Sequence, residues 1–180
     1  MIVVLMGLSG SGKSFLARIL QEDFGFEWLR SDKLRKEMAG INIDQKLSLG
    51  YGEGIYAPEW TRKVYGEMLR RAEEMVKDGK DVVLDATFLE EWQRSLVREK
   101  FPQAVFLLAW AEEEEIIKRL KEREDISDAN LEVYLRQKST FLPPDYALPL
   151  NTQKDREELR AMLKEILLQQ GWKGTQETHI

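Results

Sequence analysis

The sequence contains no cysteine and a single histidine, His179, in 180 residues. Without thiols the chain has no disulfide framework, no thiolate nucleophile and no cysteine-ligated zinc. One histidine cannot form a zinc site alone, and it could serve a Ser-His-Asp triad only if the polar C-terminal tail folded back. We therefore expect chemistry that uses lysine, arginine, carboxylate and hydroxyl groups.

Long apolar segments and an excess of positive charge are also missing. The apolar segment Ile2–Met6 has no basic flank before it and is followed at once by Gly7, unlike a signal peptide or a membrane span. The 27 basic and 32 acidic side chains give a formal net charge of −5. This charge disfavours nonspecific coating of nucleic acid and leaves room only for a local basic site. We expect a cytoplasmic protein with no membrane partner.

Length and composition predict one folded domain. With 43% hydrophobic and 33% charged residues, the chain is too apolar for disorder and long enough to bury one core. Short β-branched segments alternate with longer amphipathic ones, which is typical of helices on both faces of a mostly parallel sheet. We predict an α/β domain over residues 1–171 and a polar tail over 172–180.

The alternation gives the following elements. Strands are predicted at Ile2–Met6, Phe26–Leu29, Asp81–Ala86, Ala104–Trp110 and Ala147–Asn151, and helices at Lys13–Asp23, Asp32–Met38, Pro58–Asp78, Glu90–Glu99, Glu112–Glu122, Asp128–Phe141 and Asp155–Gln169. The glycine-rich segment Gly40–Ala57 interrupts the pattern, and we predict that this loop covers a substrate.

The segment after the first strand has the pattern of a phosphate-binding loop. Its residues are Gly7, Leu8, Ser9, Gly10, Ser11, Gly12, Lys13 and Ser14, which match G-x-x-x-x-G-K-[ST] at every position. Glycines let the backbone amides point at an anion, and the helix that starts there adds its positive dipole end. We expect Lys13 to bridge the β- and γ-phosphates of ATP and the Ser14 hydroxyl to ligate Mg²⁺. A simple glycine turn would not explain this Lys-Ser pair.

The rest of the chain favours phosphoryl transfer over other nucleotide chemistry. Residues 151–154 do not form the Asn-Lys-x-Asp sequence that reads guanine, and no Asp-x-x-Gly switch sequence is present. A remodelling ATPase usually has paired acids at the end of its second conserved strand, whereas Asp85 is followed here by Ala86. A kinase needs an acceptor base and positive groups around the transferred phosphoryl, and it is the better fit.

Asp32 is the candidate base. The second predicted strand ends just before Ser31 and Asp32, at the carboxyl edge of the sheet where doubly wound folds bind ligands. Either residue could instead cap the helix that begins there, and the residues alone leave both roles open. Arg35, one turn later, would share the face of Asp32 and could orient an acceptor or a phosphate.

Other charged residues have two possible roles each. Arg119 and Arg123 lie one turn apart, so both could reach one anion, although pairing with neighbouring glutamates is the alternative. Asp85 could hold Mg²⁺ through water or cap the next turn. Arg94 could contact substrate or lie on an exposed helix face.

The order of these motifs resembles a bacterial family of P-loop kinases with an AAA-type ATP-binding domain. The resemblance covers roughly residues 1–151, and more weakly includes polynucleotide 5′-hydroxyl kinases and zeta-toxin-like and adenylate-kinase-like phosphotransferases. It rests on Gly7–Ser14, Ser31-Asp32-x-x-Arg35-Lys36, Val82–Phe88 with Arg94, Arg119-x-x-x-Arg123, Ser127–Ala129, Gln137 and Pro143-Pro144. Ser9 stands where such loops usually have proline, and Phe15 where they commonly have threonine.

The resemblance implies a three-layer P-loop sandwich with a five-stranded parallel sheet ordered 2-3-1-4-5, and a helical lid at about residues 119–142. It assigns Asp32 as the general base and Arg35 to an acceptor phosphate. It assigns Arg119 and Arg123 to the transferred phosphoryl, and it implies ATP and Mg²⁺ as cofactors.

The acceptor stays open at this point. We favour a 5′-hydroxyl end of DNA or RNA, since end recognition needs few phosphate contacts. The alternative is a small molecule such as a nucleoside, a sugar or an antibiotic-like alcohol. A non-catalytic ATP-binding switch or an assembly ATPase is a third hypothesis.

Overall fold

The computed structural model of the chain describes residues 1–40, 54–122 and 128–174. The strands are β1 Ile2–Met6, β2 Glu27–Arg30, β3 Val82–Asp85, β4 Val105–Trp110 and β5 Leu148–Asn151. The helices are α1 Lys13–Phe24, α2 Ser31–Met38, α3 Pro58–Lys77, α4 Glu91–Lys100, α5 Glu113–Glu122, α6 Asp128–Thr140 and α7 Arg156–Gln169, with a short 3₁₀ helix at Gly54–Tyr56. Every predicted strand and helix is present, with each end within about one residue of its predicted position.

The strands form one parallel sheet in the order β2-β3-β1-β4-β5. The predicted fold class is therefore confirmed, including the strand order. In the register of the sheet, Asp85 at the end of β3 lies opposite Leu5 of β1 and opposite Arg30 of β2. The carboxyl ends of these strands therefore meet at one edge, where the loop after β1 begins.

Two apolar layers enclose the sheet. One contains Val4 of β1 with residues of α3 and α4, such as Met68 and Val97. The other contains Leu5 of β1 with residues of α1 and α7, such as Leu163. Successive residues of a strand point to opposite faces, so β1 is buried along its whole length because helices cover both faces.

Some predicted features lie outside the described residues. Most of the segment Gly40–Ala57 is among them, as are Arg123, His179 and the end of the tail. Among the described helices, none combines the length and the apolar character needed to cross a membrane.

Candidate active site

The loop between β1 and α1 requires glycine at two positions. Gly7 has φ +142° and Gly12 has φ +100°, values that residues with a Cβ rarely adopt. A Cβ on Gly7 would lie 2.5 Å from the carbonyl oxygen of Ala109, and one on Gly12 would lie 2.7 Å from Thr152 Oγ1. The loop is thus packed closely against the ends of β4 and β5, with no space for side chains at these points.

Lys13 lies across this loop. Its Nζ donates hydrogen bonds to the carbonyl oxygens of Gly7 at 2.9 Å and Leu8 at 3.0 Å. The ammonium group is therefore held at the start of α1, where the helix dipole also favours an anion. This is the position expected of a phosphate-binding lysine.

Ser14 and Asp85 form a polar pair beside the loop. Ser14 Oγ donates to Asp85 Oδ2 at 3.0 Å, and Trp28 Nε1 donates to the same oxygen at 3.0 Å. Burial raises the pKa of Asp85, while the charge of Lys13 and the hydrogen bonds from Trp28 and Ser14 act to lower it. Because its side chain bonds to Ser14 and Trp28, and α4 is capped by Glu90, the capping alternative for Asp85 is wrong.

A hydroxyl and a carboxylate so close together suit Mg²⁺, which prefers oxygen ligands. Among the described residues no group of three or more carboxylates and histidines could hold a metal by itself. Mg²⁺ at Ser14 and Asp85 would thus be shared with nucleotide phosphates, as is usual for this ion.

Asp32 does not cap α2. The helix begins at Ser31, its N-cap is Arg30, and no side chain caps it, so the capping alternative is wrong for both Ser31 and Asp32. Asp32 lies exposed in the first turn, close enough for its charge to raise the pKa of Tyr56 in addition to the effect of burial. Its exposed carboxylate also lies near the Arg35 guanidinium, where its charge acts to raise the pKa of Arg35 against the effect of burial.

Arg35 is buried between α2 and the start of α3. Its Nη1 donates to the carbonyl oxygen of Ile55 at 2.5 Å and to Thr61 Oγ1 at 3.2 Å. The guanidinium lies over the ring of Tyr56, 5.2 Å from its centre. The side chain is 7% exposed, and its Nε is buried without a partner. The structure therefore brings Arg35 near Asp32, and Arg35 Nη1 joins α2 to the 3₁₀ helix and to the start of α3.

Arg94 is 7% exposed, so the exposed-helix alternative is wrong. Its Nη1 donates to the carbonyl oxygens of Phe88 at 2.8 Å and Leu89 at 3.0 Å. Phe88 has φ +48°, which is uncommon for a residue with a side chain. Arg94 thus supports a strained loop after β3.

Arg119 contacts the phosphate-binding loop and also makes the alternative contact, an ion pair with a neighbouring glutamate. Its guanidinium donates to the carbonyl oxygen of Gly10 at 3.1 Å and to Thr152 Oγ1 at 2.9 Å. It also donates to the Thr152 carbonyl at 3.2 Å and pairs with Glu115 at 3.2 Å. The predicted pair with Arg123 lies partly outside the described residues.

Three further residues contact the site, of which only Gln137 belongs to the motifs that carry the resemblance. Gln137 Oε1 of α6 accepts from the Ser9 amide at 3.0 Å, and Thr152 Oγ1 donates to the Ser11 carbonyl. Arg30 lies 3.4 Å from Ser14 Oγ. Strand order alone could have indicated Arg30, because an order of 2-3-1 places the end of β2 beside Asp85.

An apolar cavity of about 350 Å³ borders the loop at Leu8 and Ser11, enclosed by α5, α6 and the end of β4. Ser14, Asp32 and Asp85 do not line it. The groups suited to phosphoryl transfer lie instead at the joined ends of β1, β2 and β3.

Comparison with solved structures supports this description of the fold. The chain is 24% identical to a sugar kinase from Janibacter sp. HTCC2649, with a TM-score of 0.63 and coverage of 95% of each chain. It is 18% identical to the APS kinase of Mycobacterium tuberculosis, with a TM-score of 0.68 and coverage of 93% of this chain and 96% of the other. A gluconokinase from Sinorhizobium meliloti 1021 is 21% identical, with a TM-score of 0.59 and coverage of 94% and 96%.

No curated protein matches the chain significantly. The profile of one domain family, described as an AAA domain, matches residues 2–144, which is most of the chain. This range contains the phosphate-binding loop, Asp32, Asp85 and Arg119. The chain therefore belongs to this AAA domain family and has the fold of the P-loop kinases.

Proposed function

We propose that the protein transfers the γ-phosphate of ATP to a hydroxyl group of a small molecule. The observation that supports this most is the exposed carboxylate of Asp32, available at the same sheet edge as Lys13, Ser14 and Asp85. A non-catalytic switch needs the nucleotide-binding residues but no acceptor base, and the second acid of a remodelling ATPase would stand beside Asp85, where the chain has Ala86. A kinase uses a carboxylate such as that of Asp32 as the acceptor base.

The loop would bind the phosphates through its amides and Lys13. Ser14 directly and Asp85 through water would hold Mg²⁺, which would neutralise charge on the β- and γ-phosphates. Lys13 would contact these phosphates from its position on the loop, where its ammonium group is already held. Because Asp85 is buried in a region of low dielectric constant, its carboxylate would attract a cation at Ser14 more strongly than an exposed carboxylate would.

Asp32 would accept the proton of the acceptor hydroxyl. The acceptor oxygen forms a bond to the γ-phosphorus while the bond to the β–γ bridging oxygen breaks, and ADP leaves with that electron pair. The proton resides on the Asp32 carboxylate until product release. Catalysis of this kind is mainly positioning and charge stabilisation, so each group needs only to be held in place.

A small acceptor fits the charged groups better than a nucleic acid end. Arg35, which the resemblance assigns to an acceptor phosphate, donates to Ile55 and Thr61, and Arg94 donates to two backbone carbonyls. These contacts reduce the donors that the two arginines can offer to strand phosphates, in a chain of net charge −5. Structural neighbours described as a sugar kinase and a gluconokinase are compatible with a polyol or sugar-acid acceptor.

The proposal is tested with labelled ATP and Mg²⁺. The purified protein is incubated with a panel of sugars, sugar acids, nucleosides and antibiotic-like alcohols, beside DNA and RNA oligonucleotides with 5′-hydroxyl ends. We expect label on a member of the small-molecule panel, and loss of transfer by about 10²-fold or more in Asp32→Asn. Label on oligonucleotides alone would establish the 5′-end alternative. Slow hydrolysis that Asp32→Asn leaves unchanged would indicate a switch or assembly ATPase.

A further inference from the structure

Arg30 lies at the end of β2, beside the residues that would hold Mg²⁺. Its Nη2 is 3.4 Å from Ser14 Oγ, and its Nε is 3.9 Å from Asp85 Oδ2. The guanidinium is stacked over Trp28, 4.9 Å from the ring centre. Because Trp28 is itself hydrogen-bonded to Asp85, the ring provides a fixed surface for the arginine.

The contacts of Arg30 leave it able to change partners. Both of its polar distances are long for hydrogen bonds, and its side chain is 41% exposed, whereas Asp85 is 5% exposed. A stacked, half-exposed guanidinium keeps its position through the ring while its donors remain accessible. Arg30 can thus reach a ligand at Ser14 without breaking a strong bond.

The other described arginines of the candidate site donate hydrogen bonds to backbone carbonyl oxygens. Arg119 donates to the carbonyl oxygens of Gly10 and Thr152, and Arg94 to those of Phe88 and Leu89. Arg35 donates to the carbonyl oxygen of Ile55. A charged donor bound to a backbone carbonyl is costly to remove, because the carbonyl would lose its partner. Among these described arginines, Arg30 is the one whose polar contacts are to side chains alone, Ser14 and Asp85.

We propose that Arg30 is a further catalytic residue, which contacts the transferred γ-phosphoryl group from the end of β2. This inference rests on the proposed phosphotransferase function. In a loose transition state the charge spreads over the three equatorial oxygens of the phosphoryl group, and a planar guanidinium binds two such oxygens at once. Arg30 lies beside Ser14, on the metal side, and precedes the acceptor-side Asp32 by two residues in the chain, at the same edge of the sheet. It would therefore stabilise charge where the donor and acceptor oxygens meet.

The test compares Arg30→Ala and Arg30→Lys with a control, Arg98→Ala. Arg98 is also an arginine stacked on an aromatic ring, 4.1 Å from the centre of Tyr146, and it belongs to α4. Three quantities are measured for each variant: kcat and KM for ATP with the acceptor found above, the Kd of ADP, and the tightening of ADP binding when aluminium fluoride and Mg²⁺ are added. Aluminium fluoride with ADP mimics the transferred phosphoryl group, so the third measurement needs no acceptor and no turnover.

We expect Arg30→Ala to lower kcat by about 10²- to 10³-fold, the usual effect of removing one transition-state donor. The Kd of ADP should stay within about threefold of the original value, because ADP lacks the group that Arg30 contacts. The tightening by aluminium fluoride should be lost. Arg30→Lys should recover part of kcat and part of the tightening by aluminium fluoride, since lysine keeps the charge but lacks the planar guanidinium. Arg98→Ala should leave kcat and the tightening unchanged.

Two results would overturn the assignment. Arg30→Ala could match Arg98→Ala in kcat and in aluminium fluoride tightening, which would exclude a contact with the phosphoryl group. It could also weaken ADP binding as much as it lowers kcat, which would indicate a structural role at the loop. A protein that binds ADP with aluminium fluoride in an Arg30-dependent way, yet labels no acceptor, would contradict the proposed kinase function and leave the arginine contact established.

Discussion

At the scale of single residues, Asp85 combines burial with charge. Its carboxylate is 5% exposed, and burial raises its pKa above the ordinary value of 3.8. Between the ordinary and the raised pKa the folded protein binds more protons than the unfolded chain, so stability falls as pH rises through this window. Above the window the full penalty of a buried charge remains. The residue that suits Mg²⁺ therefore lowers the stability of the fold at neutral pH.

The first prediction concerns Asp85→Asn. Asparagine keeps an oxygen that can accept from Ser14 and Trp28 but has no charge to bury, so we expect a higher Tm at neutral pH together with loss of phosphoryl transfer. The gain in Tm should shrink as pH falls through the raised pKa toward 3.8, because the aspartic acid then becomes neutral as well. Thermal melts of both proteins across this pH range measure it. An Asp85→Asn protein less stable than the original at every pH would contradict it, and would mean that Lys13 and Arg30 fully offset the burial.

The second prediction uses a pair of glycines that separates crowding from backbone strain. Gly12 and Gly79 have φ of +100° and +78°, but a Cβ would meet Thr152 at 2.7 Å only at Gly12, and nothing within 4 Å at Gly79. Gly79→Ala should lower the free energy of unfolding by about 1 kcal/mol or slightly more, because alanine is strained at this backbone dihedral. Gly12→Ala should cost about 1–3 kcal/mol more, because a core clash is added, and it should lose nucleotide binding.

Urea denaturation of the two alanine variants measures these costs, with ATP affinity as a second readout. Equal free energies of unfolding for the two variants would show that Thr152 moves aside without cost. In that case the close approach seen at Gly12 would not explain why this loop position has glycine.

At the scale of elements, α6 is joined to the phosphate-binding loop through one buried side chain. Gln137 is 6% exposed, and its Oε1 accepts from the Ser9 amide at 3.0 Å. The third prediction is that Gln137→Leu leaves the Ser9 amide without this partner and lowers the free energy of unfolding by about 1–3 kcal/mol. Amide hydrogen exchange should become faster in the loop and in α6. Gln169→Leu is the control, because Gln169 contacts only exposed Glu165 in the described part of the chain; equal exchange in both variants would contradict the prediction.

The helices and strands could be predicted from the sequence, whereas the contacts of two site arginines could not. Helix and strand positions follow from periodicity and from markers such as Pro58, so each predicted end lies within about one residue of the observed one. The phosphate-binding loop was found because a local pattern contains all of its requirements. Arg35 and Arg94 could not be placed in this way, because the same arginine can face a ligand or a backbone carbonyl. Which of the two it faces depends on packing between distant elements, here α2 with α3 and the β3–α4 loop.

At the scale of the whole molecule, acidic side chains outnumber basic ones, and a few basic side chains are placed close to the phosphate-binding loop. A net charge of −5 gives no general attraction for anions. Lys13, Arg30 and Arg119 lie near the loop, whereas Asp32 and Asp85 lie at the same edge. The arrangement can stabilise one transferred phosphoryl group but offers little positive surface for a long polyanion. A small acceptor therefore fits the molecule as a whole as well as its site.

The fourth prediction concerns how KM for the acceptor depends on salt concentration. A strand held by about two phosphate contacts would lose about sevenfold in affinity between 50 and 200 mM salt, since the slope for single strands is about −0.7 per contact. An uncharged small acceptor releases no counterions, so its KM should change less than about twofold over the same range. Steady-state KM values for the labelled acceptor at several potassium chloride concentrations give the slope directly, with KM for ATP as an internal reference. A slope of log(1/KM) against log salt steeper than about −1 for the acceptor would contradict the small uncharged acceptor, because such a dependence requires that more than one ligand charge is neutralised.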